Sequence, residues 1–233
     1  MTRFILLSLV TAAFFGGSDW LFSSFDQPLV MHPRAYAQAS AELGLNAQLL
    51  VAARNDDVVT VRRVLDIGAV PNSRNRAGDT ALLLFARKGN VEMVNLLLDK
   101  GADVNLQNVE KISPLMEAAH NGNPAVARLL LDHGADVNVE DRVFKTAMVY
   151  ASGQGSTDVV ALLLDAGVDV NKTYRHDLTA LMWAAGYGNT GTIRLLLDRG
   201  ADRARKDDRG KTAAEIATAA GHGDTAALLK VGE

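Results

Sequence analysis

From Thr80 onward the chain alternates two kinds of apolar block. One is a Leu-rich run closed by Asp, and LLLD recurs at 96–99, 129–132, 162–165 and 195–198. Within the first such block Val94, Leu97 and Leu98 stand at i, i+3 and i+4, the spacing that lays an apolar stripe along one side of a helix. The other block is shorter and carries small residues, as in Ala118-Ala119 and Ala184-Ala185, which let neighbouring helices approach closely. The alternation has a period of 33: Thr80, Ser113, Thr146, Thr179 and Thr212 keep that spacing, and so do Gly89, Gly122, Gly155, Gly188 and Gly221. Several independent features on one beat define an internal repeat, whose units bury their apolar faces only by stacking on one another.

The chemistry inside one period predicts its shape. Each periodic Thr or Ser suits a helix N-cap, where its hydroxyl accepts from an otherwise unpaired backbone N–H. Pro114 directly follows Ser113, at the helical position that tolerates proline best. The first helix closes near the Gly89 class, and the Leu-rich second helix ends at glycines such as Gly101 and Gly134, which suit the left-handed residue after a helix. GADVN follows at 101–105 and 134–138, then a polar loop leads to the next Thr. The unit is helix, turn, helix and finger-like loop.

With TALLLFARKGN at 80–90, SPLMEAAHNGN at 113–123, TALMWAAGYGN at 179–189 and the GADVN tails, the chain closely resembles the ankyrin-repeat family over roughly residues 47–231. The resemblance implies an all-α solenoid that binds proteins along its fingers and the inner face of its first helices. A capping repeat is expected at about 41–74, full repeats at about 75–107, 108–140, 141–173 and 174–206, and a C-terminal cap at 207–233. Gln48, Arg62, Arg63 and Lys230 are polar substitutions expected to wet the outer faces of the two caps.

The sequence departs from the family pattern in two places. Leu83, Met116, Val149, Met182 and Glu215 stand where the family has His in the first helix, so the hydrogen bonds of that His are expected to be missing. Gly78 and Gly210 keep the finger glycine, whereas Lys111, Phe144 and Asp177 replace it. Either these loops adopt another turn type, or Phe144 is strained and, with Val143, forms an exposed apolar fingertip.

The first forty residues follow another pattern. Arg3 precedes an uncharged run from Phe4 to Phe15, followed by Ala35-Tyr36-Ala37. Residues 1–37 therefore read as a signal peptide cut after Ala37, with the ankyrin domain over 38–233 in the periplasm or secreted. The run is short of the roughly twenty residues that span a bilayer. An uncleaved anchor extending to Phe25 is the alternative, and only in that case is a membrane expected as a partner.

Composition narrows the function further. A net charge of −3 gives no attraction to nucleic acid, and the absence of cysteine excludes disulfides and thiolate chemistry. The five histidines show no paired ligand spacing, and no nucleophile stands with a base, so neither metal, cofactor nor enzyme activity is expected. His133, at the end of a second helix, reads as structural.

A monomer that binds a protein partner is the expectation; the alternative is an accessory, immunity or inhibitor protein acting on one periplasmic enzyme. Laid out on the 33-residue beat, the inner-helix positions include Glu117, Tyr150 and Trp183, and the positions before the turn include His120 and Tyr187. The fingers contribute Arg142, Val143, Phe144, Arg175 and His176. Aromatic residues and Arg dominate interface energetics, so Tyr150, Trp183 and Tyr187 are expected to gather with Arg142, Arg175 and His176 on the concave side.

Overall fold

The computed structural model describes residues 44–230, and the expected leader lies outside them. Among the described residues there are twelve α-helices in six pairs and no strand. The pairs are α1 (Leu45–Asn55) with α2 (Val58–Asp66), α3 (Ala81–Lys88) with α4 (Val91–Asp99), and α5 (Pro114–His120) with α6 (Pro124–Asp132). They continue as α7 (Ala147–Gln154) with α8 (Thr157–Asp165), α9 (Ala180–Gly186) with α10 (Thr190–Asp198), and α11 (Ala213–Ala219) with α12 (Gly223–Lys230). None of these helices is long and apolar enough to cross a membrane. First helices α1, α3, α5, α7, α9 and α11 pack one on the next, and α4, α6, α8 and α10 stack behind them.

Core and caps follow from the repeat. Leu82, Phe85, Met93, Leu97, Leu115, Leu130, Leu163 and Leu181 are fully buried, so both apolar blocks of each period meet inside. Thr80, Ser113, Thr179 and Thr212 accept through their hydroxyls from the amide three residues on, as expected. Thr146 makes no such side-chain bond. The family's missing His is partly replaced in three of the five repeats: Met116 and Met182 sulfurs accept from the Ser113 and Thr179 amides at 3.5 Å, and Glu215 accepts from Thr212 N–H at 2.8 Å. Gln48 does not wet an outer face. It is buried, and Arg63 donates to it at 3.0 Å, because an amide taken from water needs a partner.

Asn side chains tie successive tails together. Asn72, Asn105 and Asn171 each donate to the carbonyl of the glycine that ends the next repeat's second helix and accept from Asp103, Asp136 and Asp202 N–H at 2.8 Å. Asn138 instead accepts from Lys172 Nζ at 2.7 Å. His133 Nδ1 lies 2.8 Å from Leu129 O at the end of α6, a structural contact.

The fingers are short hairpins, and their geometry answers the glycine question. Asn75, Asn108, Asp141 and Asp207 open four of them: each amide donates to the carbonyl four residues on, and the amide three residues on returns a bond. A three-residue loop of this kind needs a left-handed residue at its end. Gly78 and Gly210 supply it at φ 77° and 74°, but so do Lys111 at 59° and Phe144 at 65°. The loops at Lys111 and Phe144 therefore do not escape into another turn type, and Phe144 carries backbone strain of about 1–2 kcal/mol.

The fourth finger differs. In the other four, the opening Asn or Asp oxygen accepts from loop amides, as Asp141 Oδ1 does from Val143 and Lys145. Tyr174 has no oxygen placed for this, and the chain turns through a 3-10 segment, Arg175–Asp177, with φ 63° at His176 and 54° at Asp177.

Candidate functional site

Two clefts open where first helices meet fingers. The larger, about 390 Å³, is a groove across α3, α5 and α7. Its charges are matched. Arg87 pairs with Glu117 at 2.7 Å and lies 3.9 Å from Asp79, and Asn108 donates to Asp79 at 2.9 Å. The hydrogen bond to Glu117 holds the Arg87 pKa above its ordinary value despite partial burial. Tyr150 donates to Asp141 at 2.6 Å, and His120 stands edge-on to the Tyr150 ring with centroids 5.5 Å apart. Burial, together with this bond to a carboxylate, pushes the Tyr150 phenol well above its usual range, so it remains a donor.

The second cleft, about 230 Å³, lies between the third finger (residues 141–145) and the fourth (174–178), with Val149 and Trp183 behind them. Phe144 is 54% and Val143 52% exposed, which forms the apolar fingertip anticipated from their positions. Arg175 lies over the Phe144 ring at 5.5 Å. Lys145 Nζ sits 5.1 Å from the Trp183 ring centre and 5.5 Å from that of Tyr150, so one ammonium links the two clefts. Trp183 is half-buried, and its indole N–H is shielded from solvent with no hydrogen-bond partner. Tyr187, 58% exposed, stacks on Trp183 with centroids 6.4 Å apart and planes 12° from parallel. Burial of Tyr174 pushes its phenol up to about 12.

The structure thus brings together Tyr150, Trp183, Tyr187, Phe144, Val143, Arg175 and His176, and sets Glu117 and His120 in the adjoining groove. Arg142 does not join them. Its amide bonds back to Glu110 O at 3.2 Å and its guanidinium stands 3.8 Å from the Glu110 carboxylate, so it follows the preceding finger. Sequence reasoning missed Lys145, Tyr174 and Leu178, which line the second cleft, and Ile112 and Met116, which line the first. The signal for Lys145 was a cation directly before a buried N-cap, where preceding repeats carry Asp79 and Ile112.

A family model described as ankyrin repeats in three copies matches residues 49–141 and 147–232. The chain belongs to the ankyrin-repeat family, whose arrays are as a class protein–protein interaction modules. No curated protein matches it.

Proposed function

We propose that this array is an exported, monomeric binding module that takes a protein partner on its concave side, centred on the third and fourth fingers and the aromatic residues behind them. One observation carries the reading: Tyr150, Lys145, Trp183 and Tyr187 form a continuous run of rings and charge beside the exposed Val143 and Phe144. An apolar tip on a strained backbone is costly to a chain that only has to fold, and strain of this kind gathers at binding sites. Rings and guanidinium groups are also the side chains that anchor protein interfaces. Export rests on the leader pattern of residues 1–37 and places the array in the periplasm or outside the cell.

The test is to tag the whole chain in the cells that make it, fractionate them, identify co-purifying proteins and determine the mature N-terminus. A soluble extracytoplasmic species starting near Gln38 with one stoichiometric partner is expected. A cytoplasmic species would sink the export reading. Replacing Trp183 with Ala should then weaken capture by about 2 kcal/mol, roughly thirtyfold in Kd, while the fold persists. Collapse of the fold would make Trp183 a packing residue instead.

A further inference from the structure

Main-chain hydrogen bonds run from finger to finger and stop at one place. Val109 N–H donates to Ala77 O at 2.9 Å, Arg142 to Glu110 O at 3.2 Å and Asp208 to His176 O at 3.1 Å. The corresponding pair, Arg175 N–H and Val143 O, makes no bond, and the second cleft opens there. The finger residue at the left-handed position varies along these rungs, and the fourth finger keeps its rung with Asp177 at φ 54°. At Gly78 a Cβ would lie 2.9 Å from Val109 N, so the shortest rung has no room for a side chain. Lys111 coincides with a longer rung, and Phe144 with none.

The same cleft is unbalanced in charge. Lys145 and Arg175 lie on its wall over aromatic rings, and among the described residues neither forms an ion pair with a carboxylate. No Asp or Glu lines it, and His176 is occupied by Asp208 at 2.8 Å. Elsewhere in the array Arg87 pairs with Glu117, Lys100 with Asp66 and Arg199 with Asp165 across adjacent repeats, while Lys88 and Lys172 donate to neutral oxygens. The remaining wall, Val143, Phe144 and Leu178, is apolar.

We propose that this cleft takes an extended segment of the partner in which an apolar or aromatic side chain stands next to Asp or Glu. The apolar group lies against Phe144 and Leu178, the carboxylate meets Lys145 and Arg175, and a main-chain carbonyl of the segment accepts from the open Arg175 N–H. Charge-assisted bonds in a half-desolvated cleft are stronger than neutral ones, so the carboxylate sets specificity. This inference rests on the protein-binding reading above and adds the chemistry of what is bound.

The probe is a displayed library of random linear peptides, panned against the full chain and against the K145E/R175E double variant. Circular dichroism and thermal melting should show the two folding alike. Should the double variant not fold, K145Q/R175Q and a salt titration of the wild-type affinity give the same readout. Peptides enriched on the wild type should carry an acidic residue beside an apolar one and bind the double variant about tenfold or more weakly. Panning on the double variant should enrich Lys or Arg at that place instead. Enriched peptides without acidic residues, or unaffected by the charge reversal, would overturn this inference and leave protein binding standing. A library that enriches nothing also overturns it, and protein binding falls as well only if no partner co-purifies from the cells.

Discussion

The groove across α3, α5 and α7 and the cleft between the third and fourth fingers use the same kinds of side chain to opposite ends. In the groove Arg87 and Asp79 are met from the next repeat by Glu117 and Asn108, and Tyr150 reaches Asp141 within its own repeat. Burial demands this, since a charge or hydroxyl removed from water without a partner costs several kcal/mol. In the cleft Lys145 and Arg175 rest on rings with no carboxylate, and the fingertip stays exposed and strained. Ring faces offset only part of what a carboxylate supplies. The groove is thus built to hold repeats together, and the cleft keeps binding capacity in reserve.

Four perturbations test that contrast, from the largest effect to the smallest. Asp141 is buried and accepts from Val143 N–H, Lys145 N–H and Tyr150 O–H, so Asp141→Ala should cost about 3 kcal/mol in denaturant unfolding, with the groove and the third finger loosening together. A loss under about 1 kcal/mol would mean that this finger, like the fourth, holds without its clip. Glu117→Ala leaves Arg87 with only the more distant Asp79 and should cost about 1 kcal/mol of stability while peptide binding at the fingers is unchanged. Loss of peptide binding in that variant, with the fold intact, would erase the distinction between groove and cleft.

Phe144→Gly should leave stability nearly unchanged. Relief of about 1–2 kcal/mol of backbone strain is offset by the extra unfolded-state freedom of glycine and the loss of the Arg175 contact, about 0.5–1 kcal/mol each. Partner binding should fall in the same protein, and a variant both less stable and fully binding would contradict the assignment. The smallest effect concerns acid. Burial opposes ionisation of Asp207, but bonds from Lys211 and Arg209 outweigh it and hold its pKa below the ordinary value. A carboxylate lowered on folding stabilises fully above its unfolded pKa, and that contribution disappears as pH falls through the folded one. The first two fingers are clipped by the neutral Asn75 and Asn108. Amide exchange at Lys211, corrected for intrinsic rate, should therefore rise on acidification ahead of that at Ile112, and Asp207→Asn should remove the difference.

The fold was legible from the 33-residue beat because an array needs only local rules: a hydroxyl at the cap, an apolar stripe on the second helix and a glycine after it. The same beat placed Tyr150, Trp183 and Tyr187 on one face and Arg175, His176 and Phe144 at fingertips. Period alone does not say which way a long side chain swings. Arg142 turned to Glu110, and Lys145, one position before a buried cap, swung between two rings. Nor does it reveal the open rung between Val143 and Arg175, which depends on how two neighbouring hairpins meet.

By itself the sequence determined the repeat, its helices and helix caps, and which residues fall on first helices and finger loops, since each follows from positions a few residues apart. It left the turn at Phe144 open, and closure of the loop between Asp141 and Lys145 decided the positive φ there. Only the tertiary structure decided which charges are matched and which remain open. Matching depends on distances of a few ångströms between side chains about thirty residues apart, and stacking of the repeats is what brings those side chains together.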